Sequence, residues 1–166
     1  MPFSAWLVPE EDQEVQLRNL IIRLARENNS PEFFPHCTLL SQIQHFSDIP
    51  IDEIESFCSQ SKKVNLNSLR IMGGEILFKS LYIQFERDDF IMEFQQNFSY
   101  LFENREPYRF DPHLSLMYKI VSPENQERII SEISLPKQIN FDCISIVKTG
   151  EIIEGWEMVF SQKLSG

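Results

Sequence analysis

The chain has three histidines, and two of them, His36 and His113, stand in nearly the same local sequence. Residues 35–40 read PHCTLL and residues 112–117 read PHLSLM, about half the chain apart. Histidine has an ordinary pKa of about 6.5, so two imidazoles at one point can act as base and acid near neutral pH. That pairing suits phosphodiester cleavage, in which a base activates the attacking oxygen and an acid protonates the departing one.

Each of these histidines is followed two residues later by a hydroxyl side chain, Thr38 in the first copy and Ser115 in the second. In a β-strand alternate side chains share a face, so each copy presents one imidazole and one hydroxyl together. The hydroxyls can donate to phosphate oxygens as their charge redistributes. This chemistry needs no metal or cofactor, and two histidines without paired carboxylates are a poor metal-binding set. His45 lacks this context, and we expect it to be a packed or surface residue.

The segments before the two motifs also repeat. Before the first motif, a strand-like run at 5–8 leads into an amphipathic helical pattern over 17–24. Before the second, a run at 81–85 leads into another helical pattern. We expect the phenylalanines of this second helix to pack against a sheet: Phe90, Phe94, Phe98 and Phe102.

The segments after the motifs continue the repeat. Pro50 and the Ser122-Pro123 pair each introduce a helical pattern, with serine followed by proline a good helix start. Two strand-like runs then close each half, around glycine-containing connections: 64–72, 75–85, 139–148 and 153–160. Since the run 75–85 both ends the first half and begins the second, the sequence shows no linker between them.

The pattern predicts a single α+β domain over residues 1–166 with an internal duplication. Its lobes, approximately 1–80 and 81–166, each have the order β-α-β-α-β-β and are related by a pseudo-two-fold axis. We expect mainly antiparallel sheets that face a central cleft, with the helices outside. In that arrangement the two motif strands face each other and bring both imidazoles and both hydroxyls to one point.

Composition limits the class of protein. The 166 residues are 42% hydrophobic and 24% charged, which is typical of one globular domain. A net charge of −10 excludes a protein that holds long nucleic acid by neutralising many phosphates. No apolar run approaches the roughly 20 residues of a membrane span, so we expect no membrane partner. Three cysteines and an N-terminus without a basic segment predict reduced thiols and a cytoplasmic location, and we expect a monomer.

These residues resemble the two-histidine (2H) phosphoesterase superfamily, whose mark is a duplicated H-x-[ST]-x tetrapeptide with hydrophobic neighbours. Here the tetrapeptides are HCTL at 36–39 and HLSL at 113–116. The segment WLVP at 6–9 and the tyrosine at 118 are similar to the branch that acts on cyclic nucleotide phosphates. Two copies in a duplication that keeps its register are a stronger signal than one tetrapeptide.

The resemblance implies hydrolysis of a 2′,3′-cyclic nucleotide, or of ADP-ribose 1″,2″-cyclic phosphate, to a monophosphate. His36 and His113 would be the acid and the base, with the assignment between them open. By motif position, Thr38 and Ser115 would hold the phosphate. The other residues implied to bind the substrate are Tyr118, which would position the phosphate or the attacking water, and Trp6 and Phe78, which would line the pocket.

Two alternatives remain open from the sequence. The same chemistry serves 2′-5′ oligonucleotides or RNA ends in other branches of the superfamily, although the acidic balance disfavours a long polyanion. A non-catalytic nucleotide-binding module with the same fold is the other, although such a module has no need of both histidines and both hydroxyls. The physiological substrate, the ester bond that opens and the pathway served are not readable from the sequence.

Overall fold

Strands and helices alternate along residues 2–166, the part of the chain that the computed structural model describes. The strands are β1 (Phe3–Pro9), β2 (Cys37–Ile43), β3 (Val64–Gly73), β4 (Leu81–Phe85), β5 (His113–Met117), β6 (Gln138–Lys148) and β7 (Glu157–Lys163). The helices are α1 (Glu11–Asn28), α2 (Ile51–Gln60), α3 (Asp89–Ser99) and α4 (Pro123–Ser131). The order β-α-β-α-β-β occurs twice with β4 common to both copies, which confirms the predicted α+β fold.

The strands form one curled sheet with antiparallel pairing in the order β2-β1-β6-β3-β4-β5, and β7 pairs with β6. Trp6 of β1 lies opposite Ser145 of β6, and Met72 of β3 lies opposite Tyr82 of β4. The sequence halves 1–80 and 81–166 therefore exchange strands, because β6 joins β1 and β2 while β3 joins β4 and β5. This exchange interlocks the two halves.

The apolar sides of the two motif strands face the core. Cys37 and Leu39 of β2, and Leu114 and Leu116 of β5, have no exposed surface. They belong to the same core cluster as the buried stripe of α1. Helix α1 packs against β5 and α3 packs against β2, so each motif strand is backed by a helix of the other copy. The motif hydroxyls Thr38 and Ser115 alternate with these core residues and lie on the opposite face of their strands.

Two helices begin as their sequences predict. Asp88 caps α3, since its side chain accepts a hydrogen bond from the backbone N–H of Ile91 at 2.9 Å. Ser122 caps α4 by accepting from the N–H of Asn125 at 3.3 Å, with Pro123 in the first turn. No helix within residues 2–166 is long and apolar enough to cross a membrane.

Two predicted strands are shorter than expected. The run 75–85 is a strand only over Leu81–Phe85 and is preceded by a 3-10 turn, Leu77–Lys79. The run 153–160 likewise begins with a 3-10 turn, Ile153–Gly155, and β7 starts at Glu157. In the first case Ser80 explains the difference, because its buried hydroxyl hydrogen-bonds to the carbonyl oxygens at both Leu77 and Met117. These bonds fold the segment before β4 against the end of β5.

One phenylalanine of α3 does not pack as predicted. Phe94, Phe98 and Phe102 are buried, but Phe90 is 53% exposed. It lies in the first turn of α3 and contacts only the edge of the aromatic stripe, with its ring 6.1 Å from that of Phe94. Helical spacing gives the face of a residue correctly, but it does not say how far along the helix the sheet extends.

Candidate active site

The same local geometry holds both motif histidines. Nδ1 of His36 lies 2.7 Å from the carbonyl oxygen of Phe34, and Nδ1 of His113 lies 2.7 Å from the carbonyl oxygen of Asp111. A carbonyl oxygen only accepts hydrogen bonds, so Nδ1 is the donor in both rings and carries the proton. Nε2 of each neutral imidazole is therefore unprotonated and free to take up a proton.

The edge strands β2 and β5, which follow and carry the two motif histidines, contact each other. Burial raises the pKa of the Cys37 thiol, next to His36, and the backbone of His113 opposes this effect. The pKa of His36 is lowered first by burial and also by positive charge on His113. A charge on His113 therefore disfavours a charge on His36.

Burial favours the neutral form of both imidazoles in the free protein. Burial lowers the pKa of His36 to about 4, although the hydrogen bond to Phe34 acts in the opposite direction. Burial also lowers the pKa of His113, with the Asp111 carbonyl opposing the effect and Lys79 adding to it. A phosphate anion bound beside them would favour the protonated form, because an opposite charge stabilises it.

The two motif hydroxyls occupy equivalent positions. Thr38 lies opposite Trp6 on β1, and Ser115 lies opposite Tyr82 on β4. Ser115 Oγ donates to the carbonyl oxygen of Phe78 at 2.8 Å and is 5% exposed, whereas Thr38 is half-buried. Ser115 must therefore break its hydrogen bond to the Phe78 carbonyl before it can donate to a ligand, whereas Thr38 has no such bond to break among residues 2–166.

Tyr118 and Phe78 lie beside Ser115. Tyr118 is 5% exposed and stacks on Phe33, with ring centres 3.9 Å apart. Burial raises the pKa of its hydroxyl, and a hydrogen bond with Ser115 opposes that effect. Phe78 is 48% exposed, and its ring meets Tyr118 edge-on at 5.2 Å. Tyr118 is thus part of the packed site, and Phe78 is at its surface.

Trp6 contacts the first histidine directly. Its indole stacks on the His36 imidazole with centres 3.6 Å apart and planes 9° apart, and Trp6 is only 4% exposed. One face of the indole is therefore covered by His36 and is closed to a substrate base. The contact instead fixes the plane of the imidazole, a role that the sequence did not indicate.

Trp156, which precedes β7, is a site residue that the sequence reading missed. Its ring centre lies 5.8 Å from Trp6, 6.5 Å from His36, 6.2 Å from Phe78 and 6.0 Å from Tyr118. Its indole nitrogen donates to a backbone carbonyl at 2.8 Å, which fixes the ring. The sequence could have indicated Trp156 in one way: the loop that carries it corresponds, in the duplication, to the loop that carries Phe78.

A cavity of about 440 Å³ adjoins these aromatic rings. Its lining shares the two indoles that contact His36 and includes aromatic, aliphatic and charged side chains: Trp6, Trp156, Phe33, Phe34, Ile22, Val147, Ile153, Met158, Arg18, Asn19, Glu32 and Glu154. A larger groove of about 1040 Å³ runs along α3 and residues 103–110, and none of the predicted site residues lines it. Of the predicted site residues only Trp6 lines the smaller cavity, and neither motif histidine is part of its wall. Among residues 2–166, no three or more His, Cys, Asp or Glu side chains are grouped to hold a metal ion.

Comparisons with known proteins identify the family of this chain. The sequence model of a family described as "Cyclic phosphodiesterase-like protein" matches residues 1–164. A cyclic phosphodiesterase of Arabidopsis thaliana is 25% identical over 166 residues, which covers 95% of this chain and 92% of that protein.

Solved structures share the fold at low sequence identity. A protein of Thermus thermophilus matches with a TM-score of 0.64 and 11% identity, over 99% of this chain and 98% of its own. Escherichia coli LigT in complex with 3′-AMP matches with a TM-score of 0.61 and 10% identity, over the whole of both chains. With the duplicated histidine motifs and the family match over nearly the whole length, the chain belongs to the cyclic phosphodiesterase-like family of the 2H phosphoesterases and is a phosphodiesterase.

Proposed function

We propose that this chain hydrolyses a small cyclic phosphate, a 2′,3′-cyclic nucleotide or ADP-ribose 1″,2″-cyclic phosphate, to a monophosphate without a metal ion. The observation that carries the proposal is the pair of neighbouring imidazoles, His36 and His113, each with Nδ1 held by a backbone carbonyl. That arrangement leaves two Nε2 atoms available for one reacting phosphate. It is the arrangement that acid–base cleavage of a phosphodiester requires.

The reaction consumes one water and opens one P–O bond. One Nε2 removes a proton from the attacking water as its oxygen bonds to phosphorus. The other imidazole, protonated beside the phosphate anion, gives its proton to the ribose oxygen as the P–O bond breaks. The product is a phosphate monoester with a free neighbouring hydroxyl, and proton exchange with solvent restores both rings.

We assign the base to His36 and the acid to His113. His36 is 7% exposed and packed beneath Trp6, so its charged form is the harder one to generate. His113 is more exposed and lies beside the carboxylate-bearing residue Asp111, an environment that accommodates a proton more readily. The acid role therefore suits His113.

The hydroxyl groups bind the phosphate in this scheme. Thr38 donates to a non-bridging oxygen from beside His36, and Ser115 does so from beside His113 after releasing Phe78. Tyr118, whose pKa is raised by burial against the opposing effect of the nearby Ser115, orients the water or the phosphate. These contacts act on the charge that the phosphate gains in the transition state.

The aromatic residues bind the organic part of the substrate. The cavity of about 440 Å³ is within the range of small-molecule pockets, and its wall includes Trp6 and Trp156, whose rings contact His36. A nucleobase stacked on Trp156 or on the exposed face of Phe78 would gain about 1–3 kcal/mol of binding. LigT, which has the same fold, has been solved with 3′-AMP, ATP and NADP+, and this supports a small nucleotide as substrate here.

The same features support a proposal for the oligomeric state and the location of the protein. A net charge of −10 and a cavity sized for one small molecule favour a monomeric enzyme of small substrates over a binder of long nucleic acid. All three cysteines are buried and unpaired, which supports a cytoplasmic location. Sedimentation velocity at micromolar concentration tests the monomer, and a second, faster species would contradict it.

Hydrolysis assays with matched variants test the activity. Adenosine 2′,3′-cyclic phosphate and ADP-ribose 1″,2″-cyclic phosphate are offered in the presence of a chelator to the unsubstituted protein and to His36→Ala, His113→Ala and His45→Ala. We expect turnover by the first and by His45→Ala, whose histidine is exposed outside the site. The two motif variants should lose about a hundredfold or more. Absence of turnover with every cyclic phosphate contradicts the proposal.

A substrate with a good leaving group separates acid from base. A p-nitrophenyl phosphodiester needs no proton on its departing oxygen, so it should restore most of the activity of His113→Ala and little of that of His36→Ala. The opposite pattern of rescue reverses the assignment. Equal loss with both substrates rules out an acid role for His113.

A further inference from the structure

Asp111, two residues before His113, is the centre of an ionic network. Its Oδ2 accepts a hydrogen bond from Lys79 Nζ at 2.5 Å. Its Oδ1 accepts from Arg87 Nη2 at 2.8 Å and from Gln84 Nε2 at 3.0 Å. Asp111 lies in the loop before β5. Its carboxylate therefore links that loop to β4 and to the segments just before and just after β4.

The same residue also orients the imidazole. The backbone carbonyl of Asp111 accepts the Nδ1 proton of His113, so the position of this carbonyl sets the plane of the ring and the direction of Nε2. Lys79, held by the carboxylate, lies over the ring of Tyr82 at 4.8 Å from its centre. Tyr82 in turn meets the His113 ring edge-on, with centres 5.5 Å apart. His113 is thus contacted by the Asp111 carbonyl at Nδ1 and by Tyr82 at its ring, and Lys79 links Tyr82 to the Asp111 carboxylate.

The first copy of the motif holds its histidine differently. Phe34 occupies the position that corresponds to Asp111; it is 52% exposed, and its ring lies under the guanidinium of Arg18. His36 is fixed instead by stacking on Trp6. Since the fold makes this same loop in the first copy without a carboxylate, the ionic network is not a requirement of the loop itself.

The network gives the His113 side of the site a distinct charge. Two cations, Lys79 and Arg87, share one carboxylate, which leaves a net positive charge in a chain whose overall charge is −10. Although burial raises the pKa of Asp111, the hydrogen bonds from Lys79, Gln84 and Arg87 hold it well below its usual range. The carboxylate is therefore ionised throughout the pH range of the enzyme. The titratable or charged groups that face His113 are Lys79, Tyr82, Asp111, Cys37 and His36.

We propose that Asp111 is a positioning residue for His113: its carboxylate fixes the carbonyl that orients the imidazole and balances the charge of Lys79 beside that ring. The role in catalysis rests on the proposed function, in which His113 exchanges a proton with the substrate. Two consequences follow. Loss of the carboxylate charge should make His113 harder to protonate, and loss of the Lys79 charge should make it easier.

The protonation of His113 can be measured without any substrate. With three histidines in the chain, ¹H–¹⁵N NMR titration follows each imidazole separately. In Asp111→Asn we expect the proton affinity of His113 to fall by a factor of about three to ten, and in Lys79→Met to rise by a similar factor. Asp142→Asn is the matched control, because Asp142 also pairs with a lysine, at 2.8 Å, but on β6 outside the site. It should leave His113 unchanged.

General damage to the site would shift the proton affinity of His113 in the same direction in both variants. Opposite shifts in Asp111→Asn and Lys79→Met therefore support positioning and charge balance. Shifts of the same sign, or none in Asp111→Asn, overturn the proposal. In turnover, Asp111→Asn should lower kcat about tenfold or more with KM changed less than threefold, and a kcat unchanged at every pH also overturns it. If the unsubstituted protein hydrolyses no cyclic phosphate, the proposed function fails, while the NMR titration still decides the charge relation between Asp111 and His113.

Discussion

Burial of a neutral histidine should make the stability of this protein depend on pH through His36. The ring is 7% exposed, stacked on Trp6, and its pKa is about 4 in the folded chain against an ordinary 6.5. Between these values the unfolded chain binds a proton that the folded chain does not. The contribution to stability is therefore fully present above pH 6.5 and is lost as the pH falls toward 4.

The size of this effect follows from the two pKa values. A tenfold difference in proton affinity is worth about 1.4 kcal/mol, so His36 should cost about 2 to 3 kcal/mol of folding free energy between pH 7 and pH 4.5. His36→Gln keeps a polar side chain of similar size that does not titrate. Its stability should therefore fall less over the same pH range than that of the unsubstituted protein.

Urea unfolding followed by circular dichroism at pH 7 and pH 4.5 measures the difference. His45→Gln serves as the control, because His45 is exposed and should follow the unsubstituted protein. Other groups titrate in all three proteins and cancel in the comparison. If His36→Gln loses as much stability as the unsubstituted protein, His36 is not held neutral by burial, and its assignment as the base loses support.

Three further predictions concern the aromatic residues and the absence of a metal. Trp6→Leu removes the stack on His36 and should lower kcat tenfold or more with little change in KM, whereas Trp6→Phe should keep most of the rate; steady-state kinetics on a cyclic nucleotide decides this. Trp156→Ala should raise KM for adenosine 2′,3′-cyclic phosphate by about 5- to 150-fold, from the loss of roughly 1–3 kcal/mol of stacking, and leave methyl riboside 2,3-cyclic phosphate nearly unaffected. Equal effects on both substrates would remove the base-stacking role. Prolonged dialysis against a chelator should leave kcat unchanged, and recovery of lost activity by an added divalent ion would contradict the metal-independent scheme.

The sequence predicted the repeated parts of this structure well. The matching surroundings of His36 and His113 located the two strands that approach each other, and apolar spacing predicted the helices around them. These features are local, because a helix face or a strand face is set by side chains a few positions apart. The duplication then allowed each half to support the interpretation of the other.

The sequence did not predict contacts between distant segments. Nothing in the local pattern says that β6 pairs with β1, or that Trp156 meets Trp6 across the sheet. The network around Asp111 escaped notice for the same reason, since its partners Lys79 and Arg87 lie 32 and 24 positions earlier in the chain. The two halves differ in chemistry where corresponding positions hold different residue types, as with Asp111 and Phe34.

The central claim is that one phosphate contacts both imidazoles. Titration of the ¹⁵N-labelled protein with inorganic phosphate at pH 6 tests it directly, because Nε2 of each ring reports on its own hydrogen bond. We predict saturable shifts of the His36 and His113 Nε2 resonances with one common dissociation constant, and no shift at His45. Movement of only one of the two motif histidines, or different dissociation constants for them, would contradict the account.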